Sequence, residues 1–250
     1  MSTYYTFRNL IIAASCSIFC FMTGCDSGSD APPQTVKTYP GVGSTFEFKK
    51  TPLDNNGNAY TPYPDSTRML VVIEGPHSFA GKDSVITYVE NSTDTIRIAM
   101  EKDGDISLYM PKGIQWETKS TLRTPQLPVW WPLPVKSGKK IEFASIDTSA
   151  TIYQGNVGYT FKHFTATSSF ISKEGPYYVA EKDATLRKVE LVFKYDYDYL
   201  NTSGTLTFKY PFIFAEEIGY FTSYSIVNPS FDIDGYLGNY AMTIQKCEWK

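Results

Sequence analysis

Most active sites are built from histidine, cysteine and paired carboxylates, and here those residues are sparse or scattered. The 250-residue chain holds two histidines, four cysteines and 26 acids. His77 sits in a Pro-His-Ser stretch and His163 between Lys162 and Phe164. Neither has a second His or a Cys at ligand spacing, so no metal site is expected. A Ser–His–acid set assembles only in space, and no Gly-x-Ser-x-Gly supports one. Asp196 and Asp198 share a strand face, Asp232 and Asp234 flank a turn, and Glu216 and Glu217 are adjacent. Acid–base cleavage of a sugar needs two carboxyls about 5–10 Å apart across the substrate. Neighbours on one strand rarely straddle a substrate, so solvated faces and turns account for these acids. Asp54-Asn-Asn56-Gly57-Asn58 has its glycine at the fourth position and no closing Glu, which fits a polar hairpin turn better than a calcium loop. No catalytic residue and no cofactor is expected.

Aromatic residues are the unusual feature, at 16% of the chain. Trp130 and Trp131 lie in Leu127-Pro-Val-Trp-Trp-Pro-Leu-Pro134, an extended, proline-stiffened segment. Adjacent side chains on an extended segment point opposite ways, so one indole is expected inside and one outside. Such a segment either staples two parts of the protein together or displays a ring to a ligand. Tyr195, Tyr197 and Tyr199 form a row on one strand face, either core or the lining of a groove. These five aromatics are the candidate ligand-facing residues, for an apolar or a sugar ligand.

The elements that must position them are strands. Val189, Leu191, Phe193 and Tyr195 alternate with Glu190, Val192, Lys194 and Asp196, and Leu206 to Phe214 repeats the pattern. A period of two builds one apolar face and one wetter face. The same alternation predicts strands over residues 45–50, 68–74, 84–90, 95–101, 105–110, 140–146, 219–227 and 240–246. Asp103-Gly104, Ser203-Gly204 and Asp234-Gly235 supply turns between them. No stretch after residue 24 has a convincing helical stripe. The fold class expected is all-β: a curved antiparallel sheet or partly open barrel.

An internal echo divides it. Gly43-Ser-Thr-Phe46-Glu47-Phe48 follows Tyr39-Pro40, and Gly138-Lys-Lys-Ile141-Glu142-Phe143 follows Trp131-Pro132-Leu-Pro134. Each is a proline-bounded lead-in, a glycine, two residues and an apolar–Glu–Phe strand. The spacing predicts two related halves, residues 39–127 and 128–250.

The first residues set the compartment. Met1 to Asn9 is polar with Arg8 as its one base, and Leu10 to Met22 is almost wholly apolar. That run is too short for a bilayer span of about 20 apolar residues but suits a secretory signal. Thr23-Gly24-Cys25 follows, then a polar stretch to Pro33. This resembles the signal peptide and lipobox of bacterial lipoproteins, in which small residues enter the peptidase cleft and the cysteine thiol takes the lipid. The resemblance implies cleavage between Gly24 and Cys25, acylation of Cys25, and a membrane partner reached through that lipid. Residues 25–38, rich in Ser, Gly, Pro and Asp, read as a flexible tether. Cys16 and Cys20 leave with the signal, so Cys247 has no disulfide partner. A net charge of −3 without basic runs argues against nucleic acid.

The two lead-ins, with Phe214-Ala-Glu-Glu-Ile-Gly-Tyr-Phe221, are similar to a family of bacterial envelope lipoproteins. There a Tyr-Pro-Leu-x-x-Gly-x-x-Trp opening recurs mid-chain and Phe-Ala-x-x-Val-Gly comes near the end. Here Gly41-Val42 stands for Leu, and Phe46 and Ile141 stand for Trp. The resemblance implies a curved sheet of two related halves and carries no catalytic residues. The expected function is non-enzymatic binding or scaffolding by a lipid-anchored domain in the cell envelope, outside the cytoplasm. Carriage of a lipid or acyl chain on the concave face is the alternative, ahead of a sugar-binding module or a hydrolase.

Overall fold

Alternating burial is the organising feature of the computed structural model, which describes residues 39–54, 56–92, 94–111, 127–154, 157–227 and 239–250. The signal peptide, Gly24, Cys25 and the tether to residue 38 lie outside them, as do Asp232 and Asp234. Among the described residues there are twelve strands and no helix: β1 (Thr45–Pro52), β2 (Ser66–Phe79), β3 (Lys82–Glu90), β4 (Asp94–Met100), β5 (Ile106–Tyr109), β6 (Trp130–Leu133), β7 (Lys140–Gln154), β8 (Val157–Val179), β9 (Lys182–Tyr199), β10 (Thr202–Ala215), β11 (Tyr220–Ile226) and β12 (Tyr240–Glu248). In β9, Val189, Leu191, Phe193 and Tyr195 are buried, while Lys194 and Asp196 between and beyond them are exposed. In β10, Phe208, Tyr210, Phe212 and Phe214 do the same.

All pairings are antiparallel, and the twelve strands form one nearly closed, barrel-like sheet in the order β6-β5-β4-β3-β2-β1-β12-β11-β10-β9-β8-β7. Two six-strand meanders, β1–β6 and β7–β12, therefore meet at the β1–β12 ladder, where Thr45 stands opposite Glu248 and Pro52 opposite Tyr240. β6 belongs to the first meander, pairing with β5 from Ile106 opposite Leu133 to Tyr109 opposite Trp130.

β6 and β7 are the two edges of the sheet. Side chains close the gap: the Trp131 ring lies 6.0 Å from Phe143 of β7 and 5.2 Å from Phe193 of β9. Inside the barrel, Phe46, Tyr88 and Tyr220 form a second knot with centroids 4.7–5.8 Å apart. Both knots belong to one continuous core that also takes in Phe164, Phe208 and Phe214. Aromatic side chains bury large areas and lock each other's orientation, so among the described residues the inward face is packed with the protein's own rings.

Two strands run further than the alternation predicts. β2 and β8 continue through Gly75-Pro76 and Gly175-Pro176, each with a register shift there, between Glu74 and His77 and between Glu174 and Tyr177. A bulge is where a sheet tolerates proline, since the missing N–H would have no ladder partner. Both strands then turn into their neighbours through the same backbone. Ala80 and Gly81 have φ of 48° and 79°, and Ala180 and Glu181 have 49° and 66°. Two consecutive positive φ values match the twist of a two-residue hairpin.

These hairpins also share residues. Glu74-Gly75-Pro76, Ala80, Lys82 and Asp83 recur one hundred positions later as Glu174-Gly175-Pro176, Ala180, Lys182 and Asp183. The lead-ins behave alike as well. Gly43 and Gly138 both take positive φ just before the first strand of a meander, and each lead-in packs on a turn of the other meander. A Cβ on Gly219 would lie 2.7 Å from Pro40, and one on Gly104 would lie 2.4 Å from Lys136.

Candidate functional site

An open pocket of about 570 Å³ lies at the barrel rim, between the β2–β3 turn and the β4–β5 turn. Lys82 and Ser84 come from the start of β3, Glu101 and Asp105 from the β4–β5 turn, and Pro132 and Ile141 from the two edge strands. Its buried base includes Ile106 and Ser107. The polar groups are tied to one another: Glu101 Oε1 accepts from Lys82 Nζ at 2.7 Å and from Ser107 Oγ at 2.6 Å. Asp105 Oδ1 accepts the backbone N–H groups of Lys136 and Ser137 at 2.7 and 2.9 Å. The Asp105 carboxylate thus fastens the second lead-in to the first meander, and charge-assisted bonds of this kind are the stronger ones. The result is a half-apolar recess with a cation and a carboxylate at its rim, suited to holding a ligand face.

Beside the pocket, Trp130 stands on the outer face of β6. Its ring lies 5.0 Å from Tyr109 and 6.5 Å from Phe79, and its Nε1 donates to the Ala80 carbonyl at 3.0 Å. The Arg97 guanidinium lies 4.3 Å over the Phe79 ring, a cation–π contact. On this same outer face Val85, Thr87, Ala99 and Ser107 are buried, so burial is not confined to the inside of the barrel here.

The candidate aromatics divide. Trp131 and Tyr195 are core residues, 4% and 6% exposed. Trp131 donates Nε1 to Pro128 O at 3.0 Å and bridges the sheet edges, while Tyr195 packs on Phe164 at 4.6 Å. Their burial follows from alternation, because both share the inward face with Leu133 and Phe193. Trp130, Tyr197 and Tyr199 are half-buried. The two indoles point to opposite sides of β6 and present no coplanar pair.

The titratable candidates have structural partners. Glu216 pairs with Lys136 at 2.9 Å, whereas Glu217 Oε2 accepts Thr185 N–H at 3.2 Å, so the adjacent acids serve different segments. Asp196 accepts from Thr205 Oγ1 at 2.6 Å and Asp198 from Ser203 Oγ at 2.7 Å. Asp198 also pairs with Lys162, whose hydrogen bond holds its carboxyl below the ordinary range. Asp54 closes its own turn, accepting N–H of Asn56 and Asn58 at 2.9 and 2.8 Å. The Asn58 bond is the main cause of its lowered pKa. His77 Nδ1 meets the Gly75 carbonyl at 2.9 Å. His163 Nδ1 meets Asp147 Oδ1 at 2.7 Å on an open strand face, with Asp147 96% exposed. Cys247 is buried with its thiol directed at the Ile218 carbonyl, and burial pushes its pKa up. A raised thiol pKa suppresses the thiolate and its reactivity.

Lys82, Glu101 and Asp105 went unmarked in the sequence reading. The signal that could have found Lys82 is the recurrence of Glu-Gly-Pro and Ala-x-Lys-Asp at a spacing of one hundred, which aligns Lys82 with Lys182; Glu101 and Asp105 carry no such signal.

No family profile matches the chain, and no curated protein matches it. Among solved structures, the chain is similar to a protein of Parabacteroides distasonis ATCC 8503 described as a putative lipoprotein. The two share 12% identity over 84% of this chain and 98% of the other, with a TM-score of 0.40.

Proposed function

We propose that this chain is a bacterial lipoprotein, cut before Cys25, acylated on that thiol and held at the cell envelope outside the cytoplasm. Its barrel, two copies of one six-strand unit, binds a ligand without catalysing a reaction, and the rim pocket beside β6 and β7 is where it binds. The apolar run Leu10 to Met22 followed by Thr23-Gly24-Cys25 supports the anchor. The shared hairpin residues and the reciprocal packing of the lead-ins support the two copies.

One observation carries the reading of the domain: the barrel interior is occupied by its own rings, Trp131, Phe164, Phe193, Phe46, Tyr88 and Tyr220. A filled interior moves recognition to the outer surface and weighs against carriage of an acyl chain along the barrel axis. Among the described residues, Asp54, Asp196, Asp198, Glu216, Glu217 and both histidines have partners within the fold, which weighs against hydrolysis.

Two measurements test it. Cys25→Ala should abolish labelling by a fatty-acid analogue; undiminished labelling contradicts the anchor. Native mass spectrometry of protein purified from the envelope should reveal a bound small molecule that is lost in Ile141→Trp, which fills the pocket. A bare mass for the wild type, or a bound mass retained by the variant, contradicts the site.

A further inference from the structure

The two meanders differ at equivalent places, and the difference specifies what the pocket accepts. Lys182 and Lys82 occupy the same position in hairpins that share sequence and backbone. Facing Lys182, the turn between β10 and β11 carries Ile218-Gly219; facing Lys82, the turn between β4 and β5 carries Asp103-Gly104. Both glycines have positive φ, at 73° and 84°.

In the second meander the space between hairpin and turn is occupied. Trp249 lies there with the Lys182 ammonium 4.0 Å from its ring centroid. Its Nε1 donates to the Ile218 carbonyl at 2.9 Å, and its Cζ2 lies 3.0 Å from where a Cβ of Gly219 would be. Three contacts define this arrangement: a cation over the ring face, a turn carbonyl for the ring N–H, and a glycine against the ring edge.

In the first meander Lys82 and Asp103 line open space, while Gly104 is covered by the Lys136 chain. Lys82 is present but held by Glu101 at 2.7 Å instead of lying over a ring. Gly104 has the lead-in contact, Lys136 supplying all three of its nearest neighbours, but no aromatic counterpart. Where the second meander has Trp249, the first has the pocket of about 570 Å³.

We propose that the rim pocket is a receptor for one aromatic ring bearing an N–H donor, of the indole class, seated as Trp249 is seated in the other meander. The ring lies against Lys82, directs its N–H at the Asp103 carbonyl and rests on Pro132 and Ile141. This deepens the binding reading and rests on it, while the test below is independent of the anchor.

The probe is N-acetyl-5-fluorotryptophan amide, titrated by fluorine NMR into the full chain from residue 25 carrying Cys25→Ala, which needs no detergent. A single saturable site with Kd on the order of 1 mM is expected for a ligand of this size. Lys82→Met should weaken binding roughly 3- to 10-fold by removing the cation over the ring. Ile141→Trp should abolish it, and an N-acetyl-cyclohexylalanine amide should compete poorly. Absence of saturation to about 10 mM, unchanged binding in Ile141→Trp, or equal competition by the aliphatic ring would overturn the proposal. A native ligand lost in Ile141→Trp, without binding of the fluorinated probe, defeats the ring chemistry and leaves the pocket as the binding site.

Discussion

The two joins between the meanders are closed by different forces. At the β1–β12 join, backbone pairing runs the length of β1, and Phe46, Tyr88 and Tyr220 pack beneath it. At the β6/β7 join the strands belong to opposite edges of the sheet, and Trp131 spans the gap to Phe143 and Phe193. A ladder distributes its stabilisation over many small terms, whereas a side-chain clasp concentrates it in a few rings. The rim pocket lies at the clasped join, lined by Pro132 of β6 and Ile141 of β7. The recess lies where the barrel lacks a ladder.

Removing the clasp is the most disruptive test of that contrast. Trp131→Ala should destabilise the domain by about 3–5 kcal/mol, the range for truncating a buried large aromatic, read as a lower urea midpoint. Hydrogen exchange should accelerate in β6 and the first residues of β7 and stay slow along β1 and β12. A loss below about 1 kcal/mol, typical of surface positions, would mean the join is held by something other than this ring.

Alkali should attack the other join. Burial raises the phenols of Tyr88, Tyr220 and Tyr224, and pushes Tyr240 up to about 12, with the Glu90 carboxylate adding to it. A phenol whose folded pKa exceeds its unfolded value near 10 keeps its full contribution below that pH. Above it only the unfolded chain ionises, and stability falls as pH rises. The Tyr240 contribution should therefore disappear between pH 10 and about 12, with Tyr88 and Tyr220 extending the loss. Each such group adds a slope of about 1.4 kcal/mol per pH unit. Denaturation midpoints should decline gently once the unfolded Cys247 thiol ionises near pH 9 and drop more steeply beyond pH 10, where the phenols join it. A midpoint that holds to pH 12 would contradict the burial of these rings.

The turn glycines give the finest comparison. Both Gly104 and Gly219 have positive φ, so a side chain strains either turn. The neighbours differ: a Cβ at Gly104 meets the flexible Lys136 chain, while one at Gly219 meets the Pro40 ring and the Trp249 indole. Gly104→Ala should cost about 1 kcal/mol from backbone strain, and Gly219→Ala about 2–3 kcal/mol once overpacking is added. Equal costs would show that Pro40 and Trp249 yield as readily as a lysine.

The sequence made some of this legible. Alternation in Val189 to Tyr195 and Leu206 to Phe214 is local, because each strand's inward face is written in consecutive residues. The echo at Gly43 and Gly138 located the first strand of each meander. Strand partners were not legible: that β1 pairs with β12 and that β6 stays with the first meander depend on contacts between segments distant in sequence. The strand expected over 68–74 stops short of Gly75-Pro76, yet a bulge lets the sheet pass through it. The opposed indoles followed from strand geometry, but the Phe164 ring that packs on Tyr195 comes from a neighbouring strand. The pocket was illegible for the same reason, since its walls come from the β2–β3 turn, the β4–β5 turn and both sheet edges.

The most direct test of the account is the number of rings the domain binds once Trp249 is removed. With the fluorinated tryptophan probe, the wild type should bind one equivalent and Trp249→Ala two, the second taking the vacated place against Lys182 and Gly219. One equivalent in both proteins would contradict the equivalence of the two places, and with it the assignment of the pocket's ligand.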